Sequence, residues 1–275
     1  MSYELTGLQD RVAVVTGAGR MRSIGRPIAV ALARAGCDVV ITGTGRAPAD
    51  YPEDEQEAGW RDIDSVADEI RGEGRSALPV VSDVADPDAV QSLLAQIVDE
   101  LGPVHIVVNN AGAAKGADRV PIVDLELAAW NTVMNVNLTG TFLMSKYFAR
   151  HMIEHSEGGS FVNICSVSPR ILAPNSAAYA TSKAAVETLT AFLAQELGRH
   201  GITANAINPG LIDTFRHDDW GRGEEWTDYI DSRIAMERAG TGEDVAHQVV
   251  YLCSDQGRWI TGQSYTIDGG MAPAS

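Results

Sequence analysis

Arg11-Val12-Ala13-Val14-Val15-Thr16-Gly17-Ala18-Gly19-Arg20-Met21-Arg22-Ser23-Ile24-Gly25 is the stretch on which the fold turns. Arg11 to Thr16 is a short, β-branched apolar run that stops at Gly17, and it reads as a buried strand. From Ile24 to Ala35 the apolar residues recur at helical spacing until Gly36 ends the run. Between strand and helix lies a glycine-rich turn. Such a turn lets the backbone approach a pyrophosphate, and the helix start adds free N–H groups and the positive end of a dipole. Gly17, Gly19 and Gly25 do not form GxGxxG, and no Gly-Lys-Ser/Thr follows. Alone, the stretch therefore fits a tight strand-to-helix turn with Ser23 as N-cap equally well.

The same alternation continues outward. Cys37 to Thr42 is a second strand ending in Gly43-Thr44-Gly45, and further strands are predicted near 77–82, 104–109, 160–165, 202–207 and 263–267. Helices are predicted near 60–72, 87–101, 124–153, 177–199 and 243–253. Strands alternating with helices of this length imply crossover connections, a parallel sheet and helices on both faces. No linker or repeat interrupts residues 1–275, which are expected to form a single α/β domain. Two stretches resist the pattern. Residues 46–59 (RAPADYPEDEQEAG) read as a long acidic loop. Residues 215–242 place Phe215, Trp220, Trp226, Tyr229 and Met236 among charges just before the last helix. Loops of that size are usually functional.

Composition narrows the function classes. Hydrophobic residues make up 45% of the 275 and aromatics 6%, so the core should be aliphatic. Lys plus Arg number 21 against 37 Asp plus Glu, a formal charge of −16, which repels nucleic-acid backbones and anionic membranes. Three cysteines without CxxC spacing, no basic-flanked apolar leader and no long apolar run predict a soluble, cytoplasmic chain. His151-Met-Ile-Glu154-His155 matches one zinc-peptidase pattern, but it ends a predicted helix away from the expected active face and reads as a solvated helix end, so no metal is expected. Cys165 reads as core.

Four further signatures fall at strand ends or on the following helices. They are Asn109-Asn110-Ala111-Gly112, Asn137 within Asn135-Val136-Asn137-Leu138, Ser166 with Tyr179-Ala-Thr-Ser-Lys183, and Pro209-Gly210 with Ile212 and Thr214. In this order the chain, from about Leu8 to Met271, resembles the short-chain dehydrogenase/reductase family. The resemblance implies a Rossmann-like doubly wound parallel sheet of seven strands, with its site at the strands' carboxyl ends where the order reverses. It also implies hydride transfer between a nicotinamide cofactor and a secondary alcohol or ketone, and a homo-oligomer, commonly a tetramer, pairing through the helices around 124–153 and 177–199.

Chemistry supports these residue types. Tyr179 and Lys183 lie four apart on one helix face, so the ammonium favours phenolate and lowers a pKa that is normally about 10. By resemblance Tyr179 exchanges a proton with the carbonyl oxygen, Ser166 hydrogen-bonds that oxygen, Lys183 also holds ribose hydroxyls, and Asn137 anchors a water that relays protons. Gly17, Gly19, Ser23, Ile24, Asp83, Val84, Asn110, Ala111, Gly112, Pro209, Gly210, Ile212 and Thr214 are expected to line the cofactor. The chain departs from the family in its turn, where two residues are inserted and Ser23 replaces a glycine, and after Ser166, where Ser168-Pro169-Arg170 follow.

At the end of the second strand the family position for a ribose-binding acid is Gly43, followed by Thr44, Gly45 and Arg46. Without a carboxylate there, and with Arg20, Arg22 and Arg46 nearby, NADP(H) is favoured. The alternative is that these arginines are solvated or pair with acids of the 50–57 loop, and NAD(H) is used. Residues 215–242 are expected to form a substrate lid, with Ser168, Arg170, Phe215, Trp220 and Trp226 facing an apolar or alicyclic carbonyl substrate. Arg170, Arg216 and His217 offer a carboxylate site as the alternative. A non-catalytic dinucleotide sensor would have no need of the phenol at position 179.

Overall fold

The computed structural model describes residues 4–155 and 158–271; the reading of the leader at Met1 to Tyr3 lies outside them. Seven strands form one parallel sheet: β1 (Val12–Val15), β2 (Asp38–Gly43), β3 (Ala77–Val81), β4 (Val104–Asn109), β5 (Gly159–Ile164), β6 (Ile202–Pro209) and β7 (Ser264–Ile267), in the order β3-β2-β1-β4-β5-β6-β7. The chain winds outward from β1 in one direction to β3, then returns to lay β4 on the other side of β1. Ladders diverge there, and a crevice opens at the carboxyl ends of β1 and β4.

Alternation along β1 explains the layering. Ala13 and Val15 join the core beneath α1 (Gly25–Arg34), α3 (Ile63–Gly72) and α10 (Gly242–Cys253), with Ile28, Leu32, Val66 and Val249. Val12 and Val14 face the opposite layer, α4 (Pro87–Leu101), α6 (Gly140–His155) and α8 (Ala177–Leu197), with Leu93, Met144 and Phe148. Successive strand residues point to opposite faces, so a strand buried on both reads as a continuous apolar run. Phe148 and Phe161 are wholly enclosed, each contributing about 3 kcal/mol of transfer free energy. Among the described residues no helix is long and apolar enough to cross a membrane.

Two expectations need correction. Residues 46–59 are not a plain loop: they carry a 3-10 turn at Pro48–Asp50 and the short helix α2 (Glu53–Glu57). Pro48 and Pro52 suit helix entries, and Glu53, Asp54 and Glu55 complement the dipole of α2. The helix predicted over 124–153 is also not uniform. After a 3-10 turn at Ile122–Asp124 it runs as α5 (Leu127–Met134), widens into a π turn at Asn135–Thr139 and resumes as α6. Gly140 follows that turn, and a Cβ there would stand 2.7 Å from Val84 Cγ2, so only glycine lets the helix pass so close to the loop after β3. His151, buried on α6, accepts the Val104 N–H through Nε2 at 3.1 Å.

Candidate active site

A cavity of about 810 Å³ occupies the crevice. At one end the glycine turn is braced by the segment after β4. Asn110 Nδ2 donates to the carbonyls of Thr16 (2.8 Å) and Gly17 (3.0 Å), and Thr16 Oγ1 accepts from the N–H groups of Asn110 and Ala111, both at 3.0 Å. Gly17 has a φ of +65°, and a Cβ there would approach Ala111 Cα to 2.8 Å. Ser23 Oγ accepts from Arg26 N–H at 3.2 Å and donates to the Arg20 carbonyl, so it satisfies a free N–H of the first turn of α1 while lining the cavity, although the N-cap position itself falls to Ile24. A bare backbone turn against a helix N-terminus fits a pyrophosphate.

At the other end three side chains converge. Ser166 lies between β5 and the short helix α7 (Ser168–Ile171), its Oγ accepting from Ser168 N–H at 3.1 Å. Tyr179 and Lys183 rise from the first turns of α8. Lys183 is 5% exposed, and Nζ donates to the Ile164 carbonyl at 2.7 Å and stands 5.9 Å from the centre of the Tyr179 ring. Two guanidinium groups flank the same ring, Arg119 at 4.8 Å and Arg216 at 5.0 Å. Burial pushes the Tyr179 phenol up, but Lys183, Arg216, a hydrogen bond with Ser166 and Arg119 together bring it below its ordinary value. Asn137, in the π turn, ties this end together: Oδ1 accepts from Ala113 N–H at 2.8 Å, and Nδ2 donates to Ser182 Oγ at 2.9 Å.

A family model described as enoyl-(acyl carrier protein) reductase matches residues 17–272. The short-chain dehydrogenase/reductase eriH of Hericium erinaceus is 37% identical over 94% of this chain and 96% of its own length. Gluconate 5-dehydrogenase of Gluconobacter oxydans is 34% identical over 98% and 97%. The crystal structure of a putative short-chain alcohol dehydrogenase from Sinorhizobium meliloti superposes with a TM-score of 0.83 at 32% identity, covering 98% of this chain and 97% of that one. The chain belongs to the short-chain dehydrogenase/reductase family. It is an oxidoreductase that depends on a nicotinamide cofactor.

Most residues expected in this dehydrogenase/reductase site reach the cavity. Gly17, Gly19, Arg20, Ser23, Ile24, Thr44 and Arg46 line it on one flank. Asp83, Val84, Asn110, Ala111, Gly112, Pro209, Gly210, Ile212 and Thr214 line the rest, with Ser166, Ser168, Tyr179, Lys183, Phe215 and Trp220. Four expected residues lie off the lining. Asn137 sits behind it with its amide engaged as above. Arg22 turns outward to pair with Asp54 and Asp218, both at 2.7 Å. Arg170 turns to Thr266 and Glu187. Trp226, 7% exposed, packs with Leu211, Ile230 and Ile234, because it shares a face of α9 (Glu224–Arg233) with Ile230.

The arginines expected to meet a 2′-phosphate are already paired. Arg46 reaches Glu55 Oε2 at 3.1 Å and Asp62 Oδ1 at 3.0 Å, and Arg20 lies 3.6 Å from Glu55. Glu55 is 1% exposed and its other oxygen accepts the Met21 N–H at 2.8 Å. Sequence reasoning missed Asp62 and Arg119, and reached Glu55 only as one of the acids of the 50–57 loop. Asp62 stands at φ +54°, ψ −128°, the first corner of a type II′ turn, which favours glycine and costs another residue about 1–3 kcal/mol. Arg119 Nε is buried and makes no hydrogen bond among the described residues, although Asp118 lies 3.2 Å away.

Proposed function

We propose that the enzyme interconverts a secondary alcohol and its ketone, with Tyr179 as proton donor and acceptor. The observation that carries this reading is the convergence of Ser166, Lys183 and an acidified Tyr179 on one end of the cavity. A bound nicotinamide supplies or accepts the hydride. Tyr179 gives its phenolic proton to the carbonyl oxygen in reduction and takes it back in oxidation, while the Ser166 hydroxyl holds the same oxygen. Lys183 keeps the phenol acidic and, fixed by the Ile164 carbonyl, is positioned for the ribose hydroxyls. Asn137 positions this group by joining the Ala113 loop to α8. The missing carboxylate at Gly43, with Arg20, Arg22 and Arg46 nearby, favours NADP(H) in the sequence; the pairing of those arginines with carboxylates supports NAD(H), the alternative.

For the substrate, Ile171, Phe215, Trp220, Tyr229 and Met271 on the cavity wall support an apolar or alicyclic body. A second reading has its own observation. Arg119 and Arg216 stand on either flank of Tyr179 in a chain of charge −16, which supports a carboxylate on the substrate. Leu127, Phe142, Ile153 and Phe192, exposed on α5, α6 and α8, support assembly through those helices into a homotetramer. Three buried free thiols support a reducing, cytoplasmic setting.

The test follows nicotinamide absorbance with NADH and NADPH over cyclic ketones, aryl ketones and keto acids, beside Tyr179→Phe. Turnover that falls by about 10²-fold or more in the variant is expected. A Tyr179→Phe variant as fast as the native enzyme would remove Tyr179 from the mechanism. Tight cofactor binding without turnover on any compound would favour a dinucleotide sensor.

A further inference from the structure

The glycine turn faces a carboxylate that the strand pattern does not supply. β2 ends at Gly43, the place from which an acid would accept a ribose 2′-hydroxyl. Asp62 arrives there from the other side, at the end of the 46–62 insertion. It is 6% exposed and lines the cavity. Oδ2 lies 3.5 Å from where a Cβ on Gly43 would stand, and Oδ1 fills the space that a Cβ on Gly19 would need. Asp62 is the residue before α3, where an aspartate ordinarily caps the helix, yet its side chain makes no capping bond. The backbone instead takes a glycine-like conformation that turns the carboxylate into the crevice.

Its surroundings hold it there. Oδ1 accepts from Arg46 Nη2, and Oδ2 takes no hydrogen bond among the described residues. Behind it the buried Glu55 receives both Arg46 and Arg20. Two cations and two anions balance, so the flank presents a directed acceptor rather than a net positive field. A 2′-phosphate entering here would have to draw Arg46 from its partners, leaving buried carboxylates uncompensated.

We propose that Asp62 accepts the 2′-hydroxyl of the adenosine ribose and makes the enzyme selective for NAD(H) over NADP(H). This rests on the nicotinamide-dependent reading above and assigns to the insertion a discrimination that β2 itself cannot make.

Calorimetric titration of the full chain with three fragments lacking nicotinamide tests the assignment apart from turnover. They are ADP-ribose, its analogue without the adenosine 2′-hydroxyl, and its 2′-phosphorylated analogue. The native chain is expected to bind ADP-ribose about tenfold or more tightly than either analogue, the range of a hydrogen bond to a charged group. In Asp62→Asn the discrimination against the phosphorylated analogue should collapse. In Asp62→Gly, which suits the positive φ and keeps the fold, the preference for the 2′-hydroxyl should vanish. Tighter native binding of the phosphorylated analogue, or undiminished preferences in both variants, would overturn the role of Asp62. Failure of all three fragments to bind the native chain would instead overturn the cofactor reading itself.

Discussion

Residues 46–62 and residues 215–240 both interrupt the strand–helix alternation and both reach the cavity, the first beside the glycine turn, the second above Tyr179. The first is held by directed polar bonds. Glu55 gathers Arg20, Arg46 and the Met21 N–H, and Trp60 Nε1 donates to the Gly19 carbonyl at 2.6 Å. The second adds, to more exposed ion pairs of Arg222 with Asp213 and of Lys115 with Asp219, its own small apolar cluster, in which Trp220 meets Trp226 and Tyr229 edge-on at 5.3 and 4.7 Å. Directed bonds in a buried setting admit one arrangement, whereas apolar contacts are non-directional and allow repacking. One insertion is thus built to fix a geometry and the other to cover a space. Arg22 joins them, pairing with Asp54 of the first and Asp218 of the second.

The contrast can be broken most severely at Glu55. Glu55→Gln leaves Arg20 without its paired carboxylate and Arg46 with Asp62 alone, and should cost about 3–5 kcal/mol, read as a lowered urea midpoint together with weakened ADP-ribose binding. A variant as stable as the native chain would show that the polar clamp is decorative. Trp226→Ala comes next, removing about 3 kcal/mol from the second cluster alone. There the expected signature is a raised KM and faster proteolysis within 215–240, with ADP-ribose affinity unchanged; loss of dinucleotide binding would mean that the two insertions are not independent.

Acid should distinguish the regions without mutation. Burial first, then Lys115, Arg216 and Arg222, depress His217 to about 4. Its buried ring is neutral, but opening of this segment would let it bind a proton below the ordinary value of about 6.5. The contribution of His217 to holding the segment in place is therefore intact above that value and declines as the pH falls towards 4. Protection against hydrogen exchange, taken relative to the intrinsic amide rate at each pH, should fall in 215–220 at pH 5 relative to pH 7.5 and stay unchanged in 53–62. Equal protection of both segments at the two values would contradict the assignment. Smallest of all is Arg22→Lys, whose partly exposed pairs are worth about 0.5 kcal/mol; a slight gain in exchange across 215–220 is expected, and a shift of several degrees in Tm would show that the bridge bears more than surface pairs do.

Much of this was legible in the chain. Arg11 to Gly25 announced the strand, turn and helix, and the later strands lie close to their predicted places, β2 and β4 most plainly because a strand buried on both faces reads as a largely apolar run. Tyr179, Lys183 and Ser166 were legible because they sit at strand ends or at helical spacing. Asp62 was not, since an aspartate before a helix reads as a cap and nothing in the sequence announces its positive φ. Arg119 lay hidden in an irregular segment, though Lys115 and Arg119, two cations just after Asn109-Asn110-Ala111-Gly112 in an acidic chain, were a signal. Trp226 and Ile230, four apart, marked a buried face that grouping the tryptophans as one lid obscured.

The π turn at Asn135–Thr139 has a consequence of phase. Each residue of an α-helix advances about 100° around its axis, so a turn widened by one residue rotates all that follows by that amount. Before it, Val133 faces Ala113 and Ala178 beside the reaction centre; beyond it, Met144, Phe148 and Met152 face the sheet. One helix thereby serves two surfaces that a regular helix would not keep in step. Deleting a single residue within 135–139 would restore the regular repeat and, in doing so, set either the core half or the active-site half of the helix facing the wrong way.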